Sequence, residues 1–257
     1  MTPEEKFMFD LEGYLVIRNA LDAEELKTLN AAVDRAHPRD YDDEDADTKS
    51  GNGRGVRGST GRVSNWDISC QKLIDHPNTL PYLMAVLGPK FRLDHDYGVF
   101  MMKGGKRGSL HGGAPDRIHH YYRYRDGEMQ CGISVLVYCL ADADAGAGGF
   151  CCIPGSHKTN FRMDIPREVR RLERVPNYVV QSPAKAGDAI LFTEALVHGT
   201  MGWTADHERR ALLYKYTPGF MVASPKHYDL SSYVNLTEPQ KRILSPASVH
   251  DREDVLA

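Results

Sequence analysis

Two rhythms of apolar and polar positions run along this chain, a helical one first and a strand-like one later. Thr2-Pro3-Glu4-Glu5 has the form of a helix entry. A hydroxyl caps the free N–H groups, proline stands at the first helical position, and a glutamate three residues on reaches back. Asp22-Ala23-Glu24-Glu25 repeats the pattern, and Leu26, Leu29 and Val33 then mark one helical face. Between the two, Tyr14-Leu15-Val16-Ile17 is a short β-prone run, and a further helical stretch covers Leu80 to Leu87. Beyond it the rhythm changes to short runs separated by glycine pairs and Asp-rich turns. Strands are predicted at Tyr97–Lys103, Gly132–Leu140, Phe150–Ile153, Tyr178–Gln181, Asp188–Phe192 and Ala211–Tyr216. His37 to Arg62 is rich in Asp, Gly, Arg and Ser and nearly devoid of apolar residues. It reads as a long loop, either an active-site lid or a disordered surface segment.

Helices first and short strands afterwards predict an α+β fold, with helices packed on a β-sandwich or barrel. At 257 residues, with neither an internal repeat nor a low-complexity tract, one catalytic domain (1–257) is the simplest organisation. N-terminal helices would occupy 1–90, a β core about 90–217, and a C-terminal extension 218–257.

Composition narrows the function classes. The formal charge of −3, from 32 Lys+Arg and 35 Asp+Glu, offers no electrostatic reason for a nucleic-acid or anionic-membrane partner. The N-terminus lacks a basic region followed by an apolar run, and no stretch approaches a membrane span, so a cytoplasmic protein is expected. The five cysteines (Cys70, Cys131, Cys139, Cys151, Cys152) form no CxxC pair, which argues against a zinc site and for reduced thiols. Cys151 and Cys152 would face opposite sides of a strand, leaving at most one in the core.

Chemistry-bearing residues fall into three local signatures in a fixed order. They are Ser109-Leu110-His111-Gly112-Gly113; Gly148-Gly149-Phe150 continuing to Pro154-Gly155-Ser156-His157-Lys158; and Ala186-Gly187-Asp188 leading to Val197-His198-Gly199-Thr200 and Arg209-Arg210. Singly each is common; jointly, over roughly residues 90 to 217, they resemble the phytanoyl-CoA dioxygenase branch of the iron/2-oxoglutarate oxygenases. The resemblance implies a double-stranded β-helix (jelly-roll, cupin-like) core with flanking N-terminal helices. It also implies Fe(II), 2-oxoglutarate and O2 as cofactors, a small-molecule substrate, and decarboxylation to succinate coupled to oxidation of an aliphatic C–H bond.

Residue by residue, the resemblance makes His111 and His198 the metal ligands. Arg209, eleven residues after His198, would clamp the far carboxylate of 2-oxoglutarate, a task that suits a planar guanidinium. Thr200 would assist at the same carboxylate, or else be a plain strand former. Arg210 would point the other way, as a surface charge. His157 would belong to a supporting turn rather than to the iron. His119 to Arg125 alternates rings and cations, either gripping an anionic substrate at the pocket mouth or forming a solvated loop.

One departure matters. The family pattern is His-x-Asp, whereas here Gly113 stands where the carboxylate should be. Chloride would fill that place in the related aliphatic halogenases, and Gly113 tips the expectation towards a halogenase. The alternative is a hydroxylase in which Asp116 or Glu194 supplies the carboxylate. A non-catalytic 2-oxoglutarate- or metal-binding module and a cupin-like isomerase are further alternatives, and His-Gly-Gly is also compatible with an ordinary glycine turn.

Overall fold

The computed structural model of the chain describes residues 1–36, 62–105, 107–113, 118–161, 164–224 and 227–257. The loop expected over 37–62 therefore lies, apart from Arg62, outside the described residues, as does Asp116.

The N-terminal region comprises α1 (Pro3–Glu12), β1 (Tyr14–Ile17), α2 (Ala23–Ala36), α3 (Ile68–Lys72) and α4 (Leu80–Leu87). The strands β2 (Phe91–Met101), β3 (Tyr122–Arg125), β4 (Glu128–Cys131), β5 (Ser134–Cys139) and β6 (Gly149–Cys152) follow. After the short α5 (Arg167–Arg170) come β7 (Val180–Gln181), β8 (Ala189–Thr193), β9 (His198–Met201) and β10 (Arg209–Pro218), and then α6 (Glu238–Leu244). The predicted helix entries form as written. Thr2 Oγ1 accepts the Glu5 N–H at 3.2 Å while Glu5 Oε2 accepts the Thr2 N–H at 2.7 Å, closing a capping box. Asp22 caps α2 through the N–H groups of Glu24 and Glu25.

An antiparallel sheet in the order β1-β8-β5-β10-β2 packs on a smaller one in the order β7-β6-β9, and β3-β4 forms a separate hairpin. Strand alternation divides the large sheet cleanly. Val135, Val137, Ile190, Phe192, Ala211 and Leu213 face the small sheet and meet its Phe150 and Cys152. Leu136, Tyr138, Leu191, Leu212, Tyr214 and Tyr216 face the helical layer, against Phe9, Leu29, Val33, Leu73 and Leu83. The result is an α+β double-stranded β-helix with flanking helices. No described helix is long and apolar enough to cross a membrane.

The strand boundaries need correction in one place above all. β2 begins at Phe91, six residues before the predicted start. Arg92, Asp94 and Asp96 fall before that predicted start, yet all three are buried. Asp94 accepts from Arg92, from His95 and from the backbone of Ala223 and Ser224, and Asp96 accepts from the Ser64 N–H and the Tyr228 hydroxyl. Cys151 and Cys152 do take opposite faces, but both are buried. Cys152 lies between the sheets, while Cys151 packs with Leu110, Val169, Leu172, Val179 and Val197 on the outer side of the small sheet. The expectation that at most one would be in a core fails because the chain around α5 covers that side as well.

Candidate active site

The site grows from the small sheet. β9 starts at His198, and His111 attaches to it by reciprocal backbone hydrogen bonds of 2.8 and 2.9 Å. That pairing sets the two imidazoles side by side, ring centres 4.3 Å apart and planes inclined at 57°. Each Nδ1 lies 2.8 Å from the carbonyl two residues earlier, Ser109 for His111 and Leu196 for His198. A carbonyl can only accept, so each Nδ1 carries a proton, and in the neutral ring Nε2 keeps its lone pair, the arrangement a metal-binding histidine needs. Burial, together with the neighbouring His111 ring, pulls the His198 imidazole down to about 3, so it is neutral at physiological pH.

Both histidines line a cavity of about 360 Å³, together with Thr200, Arg209, Tyr97 and Phe150. Arg209 opens β10, on the face it shares with Ala211, Leu213 and Lys215, and is only 7% exposed. Its Nη1 lies 3.4 Å from Met101 Sδ, and among the described residues no carboxylate pairs with it. Burial draws its pKa below the usual arginine range. Gly149, at φ +86°, lets the guanidinium lie flat, since a Cβ there would stand 3.3 Å from Arg209 Nε. A buried cation without a protein anion, opening on a cavity, is a ready receptor for a carboxylate.

Arg210 faces the other way, as alternation requires, but it is no surface charge. It is buried and binds Glu208, Asp34 and Asn30, tying β10 to α2. His157 is fully buried away from the cavity, with Nε2 3.0 Å from the Asp10 carbonyl and its ring against Tyr122. It therefore holds α1 against the sheet. The His119–Arg125 run is neither a mere loop nor simply a mouth. Its second half is β3, while His120 turns inward with Nε2 3.7 Å from Glu194 Oε2.

Gly113 stands at φ +62°, directly after Gly112 at φ +88°. A side chain on Gly112 would collide with the carbonyl oxygens of Leu196 and Glu194, and the Gly113 N–H donates to Glu194 O at 3.0 Å. Close packing and positive φ require glycine at 112, and the positive φ of residue 113 favours glycine there.

Among the described residues, Glu194 is a carboxylate that reaches this region. It is 3% exposed, with Oε1 3.8 Å from His198 Nε2 and 2.6 Å from Lys215 Nζ. Burial alone would raise its pKa, but the Lys215 ammonium outweighs burial and holds it well below the usual carboxylate range. Ligand atoms about 2.1 Å from one metal lie roughly 3.0 Å apart when cis and 4.2 Å when trans, so 3.8 Å falls within the span of a shared ion. Among the described residues no three His, Cys, Asp or Glu side chains already converge as a cluster, and Glu194 is hydrogen-bonded to Lys215. The residues present thus fit a two-histidine metal site with a carboxylate at its edge. Lys215 escaped the sequence reading, although its spacing from Arg209 (i, i+2, i+4, i+6) places both on one strand face.

A jelly roll whose inner cavity joins two metal-competent imidazoles to a buried, anion-seeking guanidinium defines a recognisable class of cofactor-using barrel. The family model for phytanoyl-CoA dioxygenase (PhyH) matches residues 9–211, and the chain belongs to that family. Comparison with curated proteins returns no significant match. Among solved structures, HygX from Streptomyces hygroscopicus with nickel and 2-oxoglutarate bound is 23% identical, covering 86% of this chain and 89% of its own, with a TM-score of 0.70. HygX with nickel, 2-oxoglutarate and hygromycin B bound is 20% identical, covering 100% and 99%, with a TM-score of 0.71. AviO1 from Streptomyces viridochromogenes Tue57 is 18% identical, covering 87% and 96%, with a TM-score of 0.59. At these identities the likeness establishes the shared fold.

Proposed function

We propose that this chain is a non-haem iron, 2-oxoglutarate-dependent oxygenase that oxidises an aliphatic C–H bond of a small molecule. The observation that carries the reading is Arg209, a buried guanidinium with no carboxylate partner among the described residues, in the same cavity as His111 and His198. Family membership and the 2-oxoglutarate bound in structurally similar HygX support it. His111 and His198 would hold Fe(II) through Nε2, with Glu194 completing the set. Arg209 and Thr200 would receive the far carboxylate of 2-oxoglutarate. Bound there, iron and 2-oxoglutarate supply the oxidation of an unactivated C–H bond by O2. The protein's own work is to fix the two ring tautomers, orient the keto acid from its far end and surround the reacting centre with Tyr97, Val99, Val137, Phe150 and Phe192. A cytoplasmic setting accords with five buried, free thiols.

Glu194 favours the hydroxylase-type alternative over the halogenase reading. A buried anion beside the histidines already provides the missing negative charge and would repel a chloride placed there. The positive φ of Gly113 in turn favours glycine there on backbone grounds. Anaerobic titration with Fe(II) and 2-oxoglutarate, followed by visible absorption with and without chloride, tests the reading. A charge-transfer band that ignores chloride is expected. A band that shifts with chloride would restore the halogenase reading, and no band with no metal uptake would leave a site of another kind.

A further inference from the structure

Lys215 and Glu194 come from strands on either side of β5 and meet beside the two histidines. Lys215 lies on β10, paired across to Val135 of β5, and Glu194 directly follows Thr193, which pairs with Ser134 of the same strand. Both side chains are buried, 8% and 3% exposed, and their ends are 2.6 Å apart. The ammonium also stands 5.6 Å from the centre of the Tyr97 ring. The oxygen it binds, Oε1, also lies 3.8 Å from His198 Nε2.

We propose that Lys215 is a built-in counter-ion that compensates Glu194 in the metal-free protein and competes with the metal for that carboxylate. The inference rests on Glu194 being the third ligand. Removing either member of a buried ion pair leaves the other uncompensated, so Lys215 keeps the metal-free site folded. A divalent ion on the same oxygen would come within about 4 Å of the ammonium. Repulsion at that separation is large even at the effective dielectric of a protein interior. It exceeds the 10- to 100-fold change in affinity that outer-shell orientation of a ligand typically carries. Lys215 therefore sets metal affinity downward, and a loaded site requires its ammonium to swing off Oε1 towards the Tyr97 face. As a positioning residue it acts through Glu194.

The test is anaerobic titration of the purified full chain with Co(II), by calorimetry and by the visible ligand-field bands, beside melting of the metal-free protein. Lys215→Met is expected to lower the metal-free melting temperature and to bind Co(II) at least about 10-fold more tightly. Lys215→Gln, which keeps a hydrogen-bond donor without the charge, should also bind more tightly and is the variant to read if Lys215→Met does not fold. Lys215→Arg should stay near the parent. Unchanged or weaker binding by Lys215→Gln would overturn the proposal in favour of a purely orienting lysine. Glu194→Gln separates the two layers: it should weaken Co(II) binding and erase the effect of residue 215. If it leaves affinity untouched, the ligand assignment fails, and the lysine proposal with it.

Discussion

Replacing Arg209 by methionine removes the guanidinium while keeping a flexible apolar side chain of similar reach. In the ligand-free protein this substitution costs little, because the group it deletes is a buried cation with no carboxylate partner among the described residues. Exchanging such a charge for apolar volume is often neutral or stabilising. The melting temperature without ligand should accordingly hold or rise. In the complex the balance reverses, because the far carboxylate of 2-oxoglutarate would lose its buried partner. Truncating one side of a buried charge pair costs about 2–5 kcal/mol. At 1.4 kcal/mol per decade this raises the 2-oxoglutarate Kd by roughly 30- to 4,000-fold. Arg209→Lys should fall between, since a point charge lacks the bidentate fork. Calorimetric titration of the Ni(II)-loaded protein with 2-oxoglutarate reads both numbers without turnover. An unchanged Kd for Arg209→Met, with Ni(II) still bound, would refute the assignment of the clamp.

Gly149→Ala should weaken 2-oxoglutarate binding by displacing Arg209, and should cost about 1–2 kcal/mol of stability because residue 149 sits at φ +86°. Parallel melting and titration check both effects. Arg210→Ala should destabilise the fold by about 3 kcal/mol, the lower end for a broken buried pair because Asp34 is half exposed, and leave 2-oxoglutarate affinity intact. Chemical denaturation beside titration would show whether the two arginines differ in this way. Asp96 gives a pH signature: burial raises its carboxyl pKa despite donors from Tyr228 and Ser64. The native state thus holds a proton that the unfolded chain releases near 3.8, and this contribution to stability is lost as pH rises through the folded pKa. Asp96→Asn should flatten that dependence in urea denaturation from pH 4 upward; a variant that loses stability with pH as steeply as the parent would refute it.

The elements that local chemistry dictates were legible in the sequence. Thr2 and Glu5 announce α1, Leu80 to Leu87 bounds α4, and Phe150 and Ala211 fall within β6 and β10. What escaped depends on partners far along the chain. Arg92, Asp94 and Asp96 lie outside the predicted strand, and it is Tyr228, Ser64 and the backbone at 223–224 that let the two carboxylates be buried. Arg210 looks like a surface charge until α2 brings Asp34 and Asn30 against it. The β3–β4 hairpin is a different omission: Asp126-Gly127, both at positive φ, is a local signal for a tight turn, overlooked beside the charges of Arg123 and Arg125. In the site, His111, His198, Arg209 and Thr200 are brought to one cavity. Glu194 was visible as a spacing from His198, whereas its engagement by Lys215 depends on sheet order.

If the cavity consumes 2-oxoglutarate and O2, as proposed, succinate formation coupled to oxygen uptake shows it directly. Purified protein loaded with Fe(II) is mixed with 2-oxoglutarate and air-saturated buffer, and succinate is counted against oxygen consumed. Even without its substrate, an oxygenase of this kind is expected to form succinate slowly, in step with oxygen uptake, and His198→Ala should abolish it. Tight binding of Fe(II) and 2-oxoglutarate with no succinate above the His198→Ala background, over many hours and with a broad panel of small molecules, would contradict the account and leave a binding module.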